Sequence, residues 1–152
     1  MLLRKPDVRR RALSVKTSFH RGLLFLTGAT VAFIGIAYCI DPNLLLSRYD
    51  LAVSGVSDDN MYRGAYGGLF IVLGVAIGYG ALSTSFRQTA TLIALLFMGG
   101  FALGRFSSIL LVGMPHDQIV GLLLFEVFSA LAFTWLLISD RKHRADRVLN
   151  PA

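Results

Sequence analysis

Four stretches of this chain are long and apolar enough to cross a bilayer, over residues 22–40, 64–82, 89–112 and 118–139. At a rise of about 1.5 Å per residue, a hydrocarbon core of about 30 Å takes roughly 20 residues. In lipid every backbone N–H and C=O must be bonded within the protein, so only helices and closed barrels span. Period-two alternation is absent, which argues against strands. The sequence therefore predicts an all-α, integral membrane bundle of four transmembrane helices. Only 16% of the residues are charged, against about 25% in a soluble domain. Residues 22–40, 64–86 and 127–139 hold no Asp, Glu, Lys or Arg.

The basic residues set the topology. Seven of the fifteen Lys and Arg precede the first span: Arg4, Lys5, Arg9, Arg10, Arg11, Lys16 and Arg21. Arg141, Lys142, Arg144 and Arg147 follow the last, and Arg87 lies in the turn between spans two and three. The positive-inside rule places both termini and that turn in the cytoplasm. The expected organisation is a basic cytoplasmic or interfacial segment over residues 1–21, the four-helix domain over 22–139 and a basic cytoplasmic tail over 140–152. A bacterial inner membrane is the expected setting. The net charge of +6 follows from this topology, and no nucleic-acid partner is expected.

Val8, Ala12, Val15 and Phe19 share one helical face among Arg9, Arg10, Arg11 and Lys16. Such a pattern predicts a short amphipathic helix on the membrane surface, or a basic tail that only fixes topology. The first apolar run has 19 residues, longer than a cleavable signal core of about 7–15 residues, so an uncleaved anchor is expected. Asp41-Pro42 reads as a helix start, followed by a short interfacial helix through Leu44, Leu45 and Leu46. Gly55 and Ser57-Asp58-Asp59-Asn60 are expected to end it.

No P-loop, dinucleotide fingerprint, H-E-x-x-H or C-x-x-C motif is present. Cys39 is the single cysteine, and His20, His116 and His143 sit at span ends or in tails. No metal, cofactor or catalytic residue is assigned, and an enzyme is not expected.

Span two carries a small-residue seam of Gly64, Gly67, Gly68, Gly74 and Gly78. Small residues at spacings of three and four let helix backbones approach closely, which is how helices associate in lipid. Gly100 and Gly104 in span three repeat the spacing, and are expected to form the facing surface. A homo-oligomer face is the other use for such a seam.

Two charges interrupt the apolar pattern. Arg105 lies ten residues before Pro115, and Glu126 eleven after it. The five-residue turn 113–117 makes the two helices antiparallel neighbours, so both side chains reach the same depth. A lone Arg or Glu near the bilayer centre costs roughly 2.5–3.5 kcal/mol on insertion scales. Pairing offsets much of that, but one carboxylate cannot satisfy the five donors of an arginine. Ser108 and Ser129, each one turn away, are candidate partners. Asn60, Arg63, Tyr62 and Tyr66 stand at the same end of span two. Three roles compete for this group. It is a clamp between helices, a site whose spare Arg donors hold an anionic head, or a proton-carrying step through Glu126.

The stretch Asn60-Met61-Tyr62-Arg63-Gly64-Ala65-Tyr66-Gly67-Gly68 resembles the N-x-x-R-x-x-Y-G-G signature of a bacterial family of small four-span membrane proteins, domain of unknown function 4345. Gly104-Arg105-Phe106-Ser107-Ser108, Gly113, Pro115 and Glu126 are similar to its later positions. The resemblance covers about residues 20–140. It implies the four-span fold and no activity. It also implies that Asn60, Arg63, Tyr66, Arg105 and Glu126 belong to one shared feature. The expected function is binding of a lipid or small amphiphile with an anionic head in a polar pocket on the outer side. The main alternative is an accessory subunit of a homo-oligomer or larger membrane complex. A small proton-coupled transporter is the third.

Overall fold

The computed structural model describes the backbone of residues 5–149 and the side chains of residues 15–140. Among these the chain is helical, with no strand. The order is α1 (Lys5–Ile40), α2 (Asn43–Leu46) with a 3-10 turn over Ser47–Tyr49, α3 (Val56–Tyr62), a π-helical segment over Arg63–Gly68, α4 (Leu69–Leu82), α5 (Arg87–Val112) and α6 (Asp117–Leu149). The α3 helix, the π segment and α4 join into one span. Four helical stretches are long and apolar enough to cross a membrane, over Val15–Ile40, Val56–Leu82, Arg87–Val112 and Asp117–Asp140.

The basic N-terminal segment is not a separate surface helix. It continues into the first span as one helix from Lys5 to Ile40, because no proline lies between Pro6 and Pro42 to stop it. The amphipathic face expected at Val8 and Ala12, and the basic side chains of both outermost tails, lie outside the described side chains. Lys16 is described. Its Nζ donates to Ser139 Oγ and Asp140 Oδ1, both at 2.7 Å, so the start of the first span and the end of the last lie together.

The loop between the first two spans departs from the expectation in one respect. The α2 helix forms as expected, with the Asn43 N–H donating to Asp41 Oδ1 at 2.9 Å and Leu46 buried. The run Ser57-Asp58-Asp59-Asn60, read as loop, instead belongs to α3. Asp58 and Asp59 occupy its first turn, where carboxylates complement the unpaired N–H groups and positive end of the helix. At the other loop, α5 stops at Gly113, whose φ of +117° favours glycine, and Pro115 follows.

The glycine seam is real but faces a different helix. A Cβ on Gly28 would sit 2.6 Å from the Gly74 oxygen, and one on Gly74 would sit 2.7 Å from the Gly28 oxygen. Gly35 meets the Ile71 nitrogen at 2.7 Å, and Gly67 meets Cys39 Sγ at 2.6 Å. Span two thus lies backbone to backbone against α1, with Gly78 touching Gly28. A Cβ on Gly64, Gly100 or Gly104 meets nothing within 4 Å, and one on Gly68 meets only its own helix. Gly100 and Gly104 are therefore not the facing surface. The complementary small residues come from α1, whose Gly28, Ala32 and Gly35 repeat at four and three.

The buried core is lopsided. Leu24, Ile77, Ala90, Ala94, Phe133 and Leu136 are all fully buried. Each lies in the half of its span nearer the two chain ends. Gly80 helps to close that half: a Cβ there would collide with Ala90 of α5. The half nearer the α1–α3 and α5–α6 loops is packed less tightly and holds a cavity.

The packing separates the glycines into two classes. Gly74→Ala, on the α1 seam, is expected to lower stability by about 1–3 kcal/mol through overpacking. Gly104→Ala is expected to be neutral or to stabilise by up to about 1 kcal/mol through helix propensity. Thermal unfolding of the purified variants in mild detergent checks both.

Candidate functional site

Arg105 on α5 and Glu126 on α6 reach the same depth and bond directly. The Arg105 Nε donates to Glu126 Oε1 at 2.9 Å and to Oε2 at 3.0 Å. The Glu126 side chain is 9% exposed and that of Arg105 is 27% exposed. The contact is side-on: one nitrogen of the guanidinium serves both carboxylate oxygens. The two terminal nitrogens of Arg105 bond to no protein atom among the described residues. Ser108 and Ser129 do not bond to the pair either.

Arg105 and Glu126 both line a cavity of about 740 Å³ between the four spans. Thr30, Ile34 and Tyr38 of α1, Tyr62, Tyr66 and Phe70 of span two, Phe97 to Ser108 of α5, and Ile119 to Glu126 of α6 contribute to it, with Leu45, Leu46 and Tyr49 at the loop end. The apolar surface of such a pocket holds a guest, while a few polar groups orient it.

Aromatic rings form a connected array along this wall. Tyr62, Tyr66 and Phe70 recur every four residues, so they stack along one face of the span. Ring centroids lie 5.7 Å apart for Tyr62 and Tyr66 and 5.5 Å apart for Tyr66 and Phe70. Tyr38 of α1 stacks on Tyr62 with planes 8° apart. Phe70 meets Phe97 at 5.0 Å and Phe101 at 5.6 Å, edge to face. The Arg105 guanidinium then lies 6.0 Å from the Phe101 ring centre, within reach of a cation–π contact. The π segment at Arg63–Gly68 lies inside this array, and such segments are frequent at functional sites.

The structure divides the residues singled out by sequence. Tyr66, Arg105 and Glu126 line the cavity, as do Gly100 and Gly104. Asn60 is exposed at the start of the span and lines nothing. Arg63 points the other way. Its Nη1 donates to the carbonyls of Cys39 and Ile40, and its Nε donates to Asp59 Oδ2 at 2.6 Å. Arg63 thus satisfies carbonyls at the C-terminus of α1, where a cation also complements the helix dipole. The expected two-arginine pocket is a one-arginine pocket. Tyr38 was not foreseen, since its position at the end of an apolar run carries no local signal.

A second polar cluster, also unforeseen, closes the opposite end. His20 is buried, with Nε2 2.7 Å from Thr91 Oγ1. Thr91 donates to the Arg87 carbonyl at 2.7 Å, so it accepts from His20. The His20 Nδ1 lies 3.6 Å from Asp140, which also binds Lys16. Arg21 caps the Ala81 carbonyl at 3.0 Å. This cluster ties α1, α5 and α6 together.

Removing one partner of the Arg105–Glu126 pair strands the other. Glu126→Leu and Arg105→Met are each expected to cost about 1–3 kcal/mol. The double variant is expected to cost less than the sum, because neither charge is then left alone. A double-mutant cycle on unfolding in detergent measures this, and strict additivity is the contrary result.

No curated protein and no solved structure matches the chain significantly. A family match covers residues 19–137, which takes in most of all four spans, the cavity and the Arg105–Glu126 pair. The chain belongs to the family described as Domain of unknown function (DUF4345).

Proposed function

We propose that this membrane protein binds a small amphiphile in the cavity, with the polar head against Arg105 and the apolar part along α5 and α6. The observation that carries this reading is the side-on ion pair. A pure clamp between two helices is best served by a forked, two-nitrogen contact that uses the guanidinium fully. Here Glu126 fixes the arginine through Nε alone and leaves both terminal nitrogens without a protein partner on a residue that lines the cavity. Spare donors next to ring-lined apolar space are what an amphiphile site needs.

The anionic head expected from the sequence relied on two arginines facing one pocket. Arg63 is committed to α1 and Asp59, so that part of the reading loses its second cation. The accessory-subunit reading also loses an argument, because the Gly67–Gly74–Gly78 seam is occupied by α1 of the same chain. The excess of Lys and Arg around the chain ends supports a cytoplasmic placement for them, and on that placement the cavity would lie in the outer half of the membrane.

Gly104 gives a direct test. A Cβ added there meets no protein atom within 4 Å, and the residue lines the cavity. Gly104→Leu is expected to fold and to occupy the guest's space. Native mass spectrometry of the wild-type protein released from membranes should show one bound small molecule per chain. The Gly104→Leu protein should lack it. Only bulk lipid on both proteins would defeat the proposal.

A further inference from the structure

We infer that the guest of this cavity is an uncharged, flat ring bearing carbonyl oxygens on an apolar tail, the chemistry of a membrane quinone. The inference rests on the amphiphile reading above and narrows it to a class. Charge, hydrogen bonding and shape each point to it.

Charge comes first. Of the side chains that line the cavity, only Arg105 and Glu126 are charged, and they cancel each other. A phosphate or carboxylate head would add net negative charge to an apolar space with no second cation at its wall. Burying an uncompensated charge is costly, whereas a neutral acceptor carries no such cost.

Hydrogen bonding follows. The cavity is rich in donors. Beside the Arg105 terminal nitrogens, the hydroxyls of Tyr38, Tyr62 and Tyr66 bond to no protein atom among the described residues. The carboxylate is already engaged on both oxygens. A guest that presents acceptors suits the Arg105 nitrogens, which can only donate, and the tyrosine hydroxyls can donate to it as well. Ring carbonyls present acceptors without carrying charge.

Shape agrees. Rings from α1, span two and α5 present faces and edges to the space, the arrangement that favours a flat π-guest. Gly100 and Gly104 leave the α5 wall without side chains, so a planar ring can lie close to the helix backbone. Phe125 lines the cavity and is also 54% exposed on the bundle surface. The lining therefore continues from the ring-lined interior to the lipid side, where an apolar tail can pass.

The test uses the full chain in a neutral detergent and three probes with the same decyl tail: a benzoquinone, a phosphate and an alcohol. Isothermal titration is expected to show one saturable site for the quinone and at least tenfold weaker binding of the other two. Gly104→Leu should abolish quinone binding. Arg105→Gln with Glu126→Gln, which keeps the cavity neutral, should weaken it at least tenfold. Thermal unfolding confirms that each variant is folded, and Gly104→Leu carries the test if the double variant is not. Decyl phosphate binding more tightly than the quinone would overturn the inference and leave the amphiphile reading standing. Decanol binding as tightly would do the same, as would quinone binding unchanged by Gly104→Leu. No saturable binding of any probe would overturn both.

Discussion

The close approach of α1 and span two is the constraint on which the rest of the bundle depends. Between helices in lipid there is little hydrophobic drive, so association relies on contact area and on hydrogen bonds. Gly28, Gly35, Gly67 and Gly74 remove the side chains that would hold the two backbones apart. That contact fixes the position of Tyr38 against Tyr62 and Tyr66. It also brings the C-terminal carbonyls of α1 to Arg63. The second helix pair, α5 and α6, docks on this unit through small residues such as Ala90 and Ala94, which are fully buried.

The packing is tight at one end and open at the other, and the polar residues follow that division. At the chain-end half, His20, Thr91, Lys16 and Asp140 satisfy one another. At the loop half, Arg105 and Glu126 satisfy one another only in part. A buried polar group without partners is expensive, and the partial exposure of the Arg105 side chain, 27% against 9% for Glu126, is where that cost is relieved. The same feature that relaxes the cost leaves donors available to a guest.

The four-span architecture was legible because bilayer thickness imposes a length that composition reveals. The Arg105–Glu126 contact was legible for a similar reason: a short turn between antiparallel helices equates depths on its two sides. Facing relations were harder to read. Glycine spacing shows that a helix has a close-contact face, but not which neighbour meets it. Gly100 and Gly104 had the right spacing and the wrong partner, while Gly28 and Gly35 in α1 lie seven apart. Arg63 was misplaced because a helix end two dozen residues away competes for its guanidinium, and that competition has no local pattern. The π segment has no sequence signature here, yet it sets the azimuth of Asn60, Tyr62 and Arg63.

That π segment behaves as one residue inserted into an otherwise regular helix. Each residue turns an α-helix by about 100°. Rewinding the same residues between Arg63 and Gly68 as a regular α-helix, with none lost, would rotate α3 by about that angle relative to α4. Tyr62 would leave the ring array, and Arg63 would leave the end of α1, while Phe70 and the Gly74 seam stayed in place. The wider turn therefore acts as a phase adjuster. It lets a single helix serve two incompatible registers, one dictated by backbone contact with α1 and the other by the rings and cap at the mouth of the cavity.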